Sequence, residues 1–128
     1  MITIATAVAE AVVAVRDHFA GHPVEEIPDG AGGVFLIVGD VEIGSRYTPT
    51  TTWLGFQISA AYPHSDVYPH YIGLVHRRDG QPFPDAVQNF EWRGRTALQL
   101  SRRSNRWNPA VDNAALKAEK VITWFVTL

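Results

Sequence analysis

The chain has 128 residues and a mass of 14.2 kDa, which gives room for one domain spanning 1–128 and none for a second. Hydrophobic residues make up 46% and charged residues 19%, enough apolar surface to build a core, so the composition excludes a chain that is disordered throughout. A formal charge of -2 and a pI near 6.2 argue against indiscriminate binding to nucleic acid or anionic membrane. No run approaches the roughly 18 apolar residues of a membrane span, and no leader-like order opens the sequence, so a cytoplasmic protein is expected. There is no cysteine, which excludes disulfides, thiolate metal sites and thiol nucleophiles.

Ile4, Val8, Val12, Val15 and Phe19 recur at helical spacing and predict an amino-terminal helix ending at Gly21 and Pro23. The Pro- and Gly-rich stretch to Gly33 reads as a connection. Val34–Val38, continuing toward Ile43, is a β-rich apolar run. In Thr51–Ala60, Thr52, Leu54, Phe56 and Ile58 alternate onto one face. Tyr71–His76 is a further strand between Pro69 and Asp79-Gly80. Residues 81–94 lack a period and predict an irregular segment.

Asn108-Pro109 predicts a helix start, with Val111, Ala115, Ala118, Ile122 and Phe125 as its buried stripe. The order predicts an α+β fold: an amino-terminal helix, an antiparallel sheet of three to four strands, an irregular segment and a carboxy-terminal helix.

Charge is unevenly placed. Residues 1–76 hold two arginines against eight acids, whereas 77–106 hold seven arginines against three acids. Arg93, Arg95, Arg102, Arg103 and Arg106 are therefore candidates for docking an acidic partner.

Rival chemistry is weaker. His64, His70 and His76 recur every six residues, too far apart on strands for a metal site and without an acidic cluster. Ser101 and Thr96 lack a nucleophile elbow, and Gly30, Gly32 and Gly33 precede a strand where a phosphate cradle would need a helix. Trp92 among arginines could stack bases, but no nucleic-acid motif accompanies it. Trp53, Trp107 and Trp124 are expected in the core.

Three segments then form an ordered set. Tyr62-Pro63 with Pro69 resembles the Tyr-Pro, spacer, Pro segment of ubiquitin-conjugating enzymes. Gly94-Arg95-Thr96-Ala97-Leu98 resembles that family's Gly-x-x-Cys-Leu active-site segment, and Trp107-Asn108-Pro109-Ala110 resembles its Trp-Ser-Pro-Ala segment. The resemblance implies a ubiquitin-conjugating-like fold with Ala97 where the family keeps its nucleophile. It implies Asn89, eight residues earlier, as the oxyanion candidate, beside a shallow groove holding Ala97.

The single helix after Trp107 is similar to the minimal bacterial branch of the superfamily, and the sequence around Ala97 resembles members that lack the cysteine. Such proteins travel with a ubiquitin-like protein, an activating enzyme and a deconjugating peptidase, and are associated with phage defence. No cofactor, metal, nucleic acid or membrane partner is expected. The function the resemblance implies is binding of a ubiquitin-like protein or its activating enzyme without a thioester. The alternatives are an active conjugating enzyme whose cysteine has been replaced by Ala97, or an unrelated α+β protein-binding domain.

Overall fold

The computed structural model describes residues 3–128. Helix α1 (Thr6–His18) buries Val8, Ala11, Val12 and Val15, the face set by the three- and four-residue spacing. Gly21, at φ +90°, turns the chain after it. Strand β1 (Val24–Pro28) then runs where a connection was expected. It is a sheet edge: Glu25 and Glu26 face solvent, and the short, polar run hid the strand from a periodicity reading.

Strands β2 (Val34–Glu42), β3 (Tyr47–Thr48), β4 (Thr51–Ile58), β5 (His70–Gly73) and β6 (His76–Arg77) follow. A bulge between Val38 and Val41 in β2 coincides with Asp40 at φ +58°. Thr52, Leu54, Phe56 and Ile58 are buried together, as their alternation predicts.

Residues 81–86 carry no helix or strand, as their lack of a period predicts, but residues 87–100 do. They form a hairpin of β7 (Val87–Trp92) and β8 (Arg95–Leu100), closed by Arg93 at φ +51° and Gly94 at φ +78°. Two successive left-handed residues make the hairpin turn that matches strand twist, but Arg-Gly is a much poorer signal for it than Asn-Gly. The hairpin and β1 bring the main sheet to six antiparallel strands in the order β1-β2-β4-β5-β8-β7, while β3 and β6 pair separately.

Helix α2 (Ala114–Val126) starts later than Asn108-Pro109 suggests. Asn113 is its cap, accepting a hydrogen bond from the Leu116 amide at 2.9 Å. Asn108 instead closes an isolated turn, its Oδ1 accepting from the Ala110 amide and its own amide donating to Asp112 Oδ2. Val111 is consequently exposed and does not belong to the buried stripe.

Both helices pack on one face of the sheet, in a core that includes Val15, Phe56, Leu98, Leu100, Ala118, Val121 and Phe125. The other face carries Ile37, Trp92 and Ala97 ringed by Ile27, Phe35, Trp53 and Tyr71, with no helical residue among them. The Trp92 ring stacks on Tyr71 at 4.8 Å and on Trp53 at 5.7 Å, at interplanar angles of 13° and 17°. Trp92 is thus the tryptophan buried most fully, and Trp53, Trp107 and Trp124, expected in the core, are half-buried.

The Trp92 ring also rests against Gly55 of β4, where an added Cβ would collide with it. Gly55→Ala is expected to destabilise the fold by about 1–3 kcal/mol through overpacking, read as a lower denaturation midpoint in urea. Among the described residues no helix is long and apolar enough to cross a membrane.

Candidate functional site

The Tyr62–Pro69 segment leaves the sheet between β4 and β5 and is fastened to the last quarter of the chain. The Tyr62 hydroxyl accepts a hydrogen bond from the Ala114 amide at 3.1 Å, satisfying an orphan donor at the start of α2. The Trp107 indole donates to the Pro63 carbonyl at 2.7 Å. These two bonds explain locally why Tyr62, Pro63 and Trp107 stand where they do. Pro69 delivers the chain into β5, and Pro109 sits in the turn before α2.

Beneath this segment lies a polar cluster. Asp66 accepts from the Ser104 amide at 2.8 Å and from Lys117 Nζ at 3.0 and 2.9 Å, and Lys117 donates to Ser104 Oγ at 2.7 Å. The Lys117 side chain is 4% exposed and that of Asp66 18%. Burial pushes the Asp66 carboxyl upward, but the Ser104 amide and the Lys117 hydrogen bond and charge outweigh it, so its pKa lies below the usual carboxylate value.

The sequence reading missed this cluster, although a signal was present. Lys117 falls among Ala114, Ala118, Val121 and Phe125, on the buried stripe of α2, where a lysine needs a partner.

His70 is fully buried at the start of β5, tilted against Phe56 at 5.1 Å, with neither ring nitrogen hydrogen-bonded among the described residues. Burial, reinforced by the Lys117 charge and opposed by Asp66, takes its pKa down to about 3. It is a neutral core histidine, while His76 lies exposed on β6 and His64 in an exposed turn.

Ala97 is not in a groove. It sits within β8, opposite Gly73 of β5 and Phe90 of β7, with 0% of its surface exposed and its side chain in the Trp92 cluster. Asn89 is opposite Leu98, which belongs to the core on the other face. Because neighbouring residues of a strand face opposite ways, the Asn89 amide and the Ala97 methyl are on different sides of the sheet. The expected pairing of an oxyanion donor with a nucleophile position therefore does not form. The cause is strand pairing and packing: Gly94 turns a hairpin, β8 pairs with β5 and β7, and Leu98 packs in the core, so the segment that resembles an active-site loop is strand.

The five arginines are also divided. Arg93 lies over the Phe35 ring at 4.0 Å and Arg95 over Trp53 at 5.2 Å, with Glu25 at 3.6 Å from Arg95, all at the hairpin tip on the aromatic face. Arg102 lies over Trp124 at 5.5 Å and Arg103 over Tyr68 at 4.3 Å, past the opposite end of β8. Six strand residues put roughly 20 Å between the two groups. With Arg106, the second group lines a cavity of about 340 Å³ against α2. The faces of Trp92 are covered by Trp53 and Tyr71, so its ring offers no platform for a base.

Comparison with known proteins adds one finding. The sequence model of the family described as Prokaryotic E2 family E matches residues 17–126. No curated protein matches, and no solved structure matches.

Proposed function

Because the chain belongs to prokaryotic E2 family E, we propose that it serves a bacterial ubiquitin-like conjugation system as a binding protein, holding a ubiquitin-like protein or its activating enzyme without forming a thioester. The observation that carries this reading is the complete absence of cysteine from a chain of that family. Without a thiolate there is no group to take the acyl chain from an activating enzyme and pass it on. The burial of Ala97 within β8 weighs against the alternative in which that alanine merely replaces a native nucleophile, since a thiol there would be sealed under Ile37 and Trp92.

Docking is assigned to the aromatic face without helical cover and its basic rim. Phe90 is 46% exposed there, next to Tyr71, and Arg93 and Arg95 flank it. An apolar centre edged by arginine is the composition of a protein-binding patch. A deconjugating peptidase of the same system is a further candidate partner.

The test supplies the protein with an activating enzyme, ATP and a candidate ubiquitin-like protein, and measures charging and binding separately. The expected result is saturable binding with no thiol-reducible adduct, on this chain or on a folded Ala97→Cys variant. Efficient charging of that variant would restore the conjugating-enzyme reading. Arg93→Glu combined with Arg95→Glu should slow association and weaken binding, most visibly at low salt. Equal affinity of variant and parent would remove this face from the proposal.

A further inference from the structure

Residues 101–106, between β8 and the Trp107 turn, carry Arg102, Arg103 and Arg106, and all three line the 340 Å³ cavity together with Lys120, Asp112 and Trp124. Lys120 lies 3.7 Å from Asp112, and Lys117 is matched by Asp66. None of the three arginines has a carboxylate or a side-chain hydrogen bond among the described residues. The arginines of residues 46–78 behave differently: Arg77 holds Asp79, Arg46 donates to the Leu128 carbonyl, and Arg78 donates to the Tyr47 carbonyl. Three arginines without a carboxylate partner among the described residues thus line one concavity, on a chain whose net charge is -2.

Their presentation is fixed from below and from the side. The Asp66–Lys117–Ser104 cluster pins the middle of the loop to α2, at the desolvation cost of an ion pair with a nearly buried lysine. Arg102 and Arg103 rest against Trp124 and Tyr68, which take up a guanidinium face and leave the N–H edges to bind. A loop held this way has lost much of its freedom before any ligand arrives, which favours affinity.

We propose that this cavity binds a small anion bearing a diphosphate group. Arginine forks match the tetrahedral oxygens of a phosphoryl group through paired N–H donors. The charge count selects among oxyanions: a lone carboxylate would leave two guanidinium charges facing each other, whereas a phosphate ester carries about -1.5 to -2 and a diphosphate more. The volume is that of a small-molecule site, at the low end of the roughly 300–1,000 Å³ range. The diphosphate is free or carried on a nucleotide, and the proposal does not depend on the docking of a ubiquitin-like protein.

The test is calorimetric titration of the full chain with inorganic pyrophosphate and, separately, with ADP at low salt. Backbone amide shifts are followed in parallel. Saturable binding with shifts confined to residues 101–106 and the facing side of α2 is expected. Arg102→Gln and Arg106→Gln should each weaken it roughly tenfold or more. Arg16→Gln, beside β1 and outside the cavity lining, should leave it unchanged, and an unaltered melting midpoint checks that each variant folds. Tighter binding of ADP supports a nucleotide as the source, and equal or tighter binding of pyrophosphate supports the free anion. Three results would overturn the proposal: no saturable binding of either probe, affinity untouched in both glutamine variants, or an acidic peptide that occupies the site and resists displacement by pyrophosphate.

Discussion

Lys117→Ala is expected to cost the folded state about 3–5 kcal/mol, the range for removing one partner of a buried ion pair. The loss exceeds what the missing contacts alone would give, because the Asp66 carboxylate, 18% exposed, keeps its charge while losing both lysine hydrogen bonds. It also removes the Lys117 bond to Ser104 Oγ, which ties α2 to the loop that carries Arg102, Arg103 and Arg106, and leaves Ser104 held by Asp66 alone. The double variant Lys117→Met, Asp66→Leu removes both charges and should recover at least half of the loss. Urea denaturation of the singles Lys117→Met and Asp66→Leu beside the double gives the coupling energy directly. A Lys117→Ala protein within about 0.5 kcal/mol of the parent would mean that the pair is solvated and not structural.

Acid should weaken the fold well before its carboxylates protonate. His70 binds its proton with a pKa of about 3 in the folded chain, against an ordinary value of 6.5 when the chain unfolds. Between those values the unfolded state carries one more proton than the folded state, so stability falls as pH falls, by about 1.4 kcal/mol per unit. The contribution is fully present above pH 6.5 and has lost roughly 3 kcal/mol by pH 4.5. Asp66 acts in the same direction at lower pH: its folded pKa is lowered, so its contribution is present above the unfolded carboxyl value and fades as pH drops through the folded one.

His70→Leu should separate the two effects. Leucine fills a similar volume beside Phe56 without a titrating group, so the slope between pH 6.5 and 5 should flatten while the steeper loss at lower pH remains. Denaturation midpoints at pH 7, 6, 5 and 4 make the comparison. An unchanged slope in the variant would assign the acid sensitivity to another group.

What could be read from the sequence was whatever one element decides by itself. The stripe Val8, Val12, Val15 and Phe19 and the alternation Thr52, Leu54, Phe56 and Ile58 are fixed by helix and strand periods, and both hold in the structure. The start of α2 needed a tertiary fact. Asn108 and Asn113 are both capable caps, and the Tyr62 hydroxyl on the Ala114 amide accompanies the second.

The candidate site was hidden for the same reason. Gly94-Arg95-Thr96-Ala97-Leu98 reads identically as loop or strand, and its partners Gly73 and Phe90, 24 and 7 residues away, make it strand. The five arginines looked contiguous because β8 lies between them unannounced, and only a strand drawn out to full length separates Arg95 from Arg102. Lys117 was visible on its stripe, but Asp66, 51 residues away, was not visible as its partner.

The placement of the Trp92 ring has a bearing on cooperativity. By backbone hydrogen bonds the β7–β8 hairpin hangs on the sheet through β5 alone, over the four residues His70–Gly73, and such an appendage would ordinarily open as a unit of its own. Yet Trp92 reaches past β8 and β5 to rest against Gly55 of β4, while its faces meet Trp53 of β4 and Tyr71 of β5. Detaching the hairpin would therefore uncover Ile37 and break an aromatic stack spanning three strands. The edge of the sheet is joined energetically to its centre, and amides of β7 and β4 should exchange with solvent through a shared opening instead of in sequence from the edge inward.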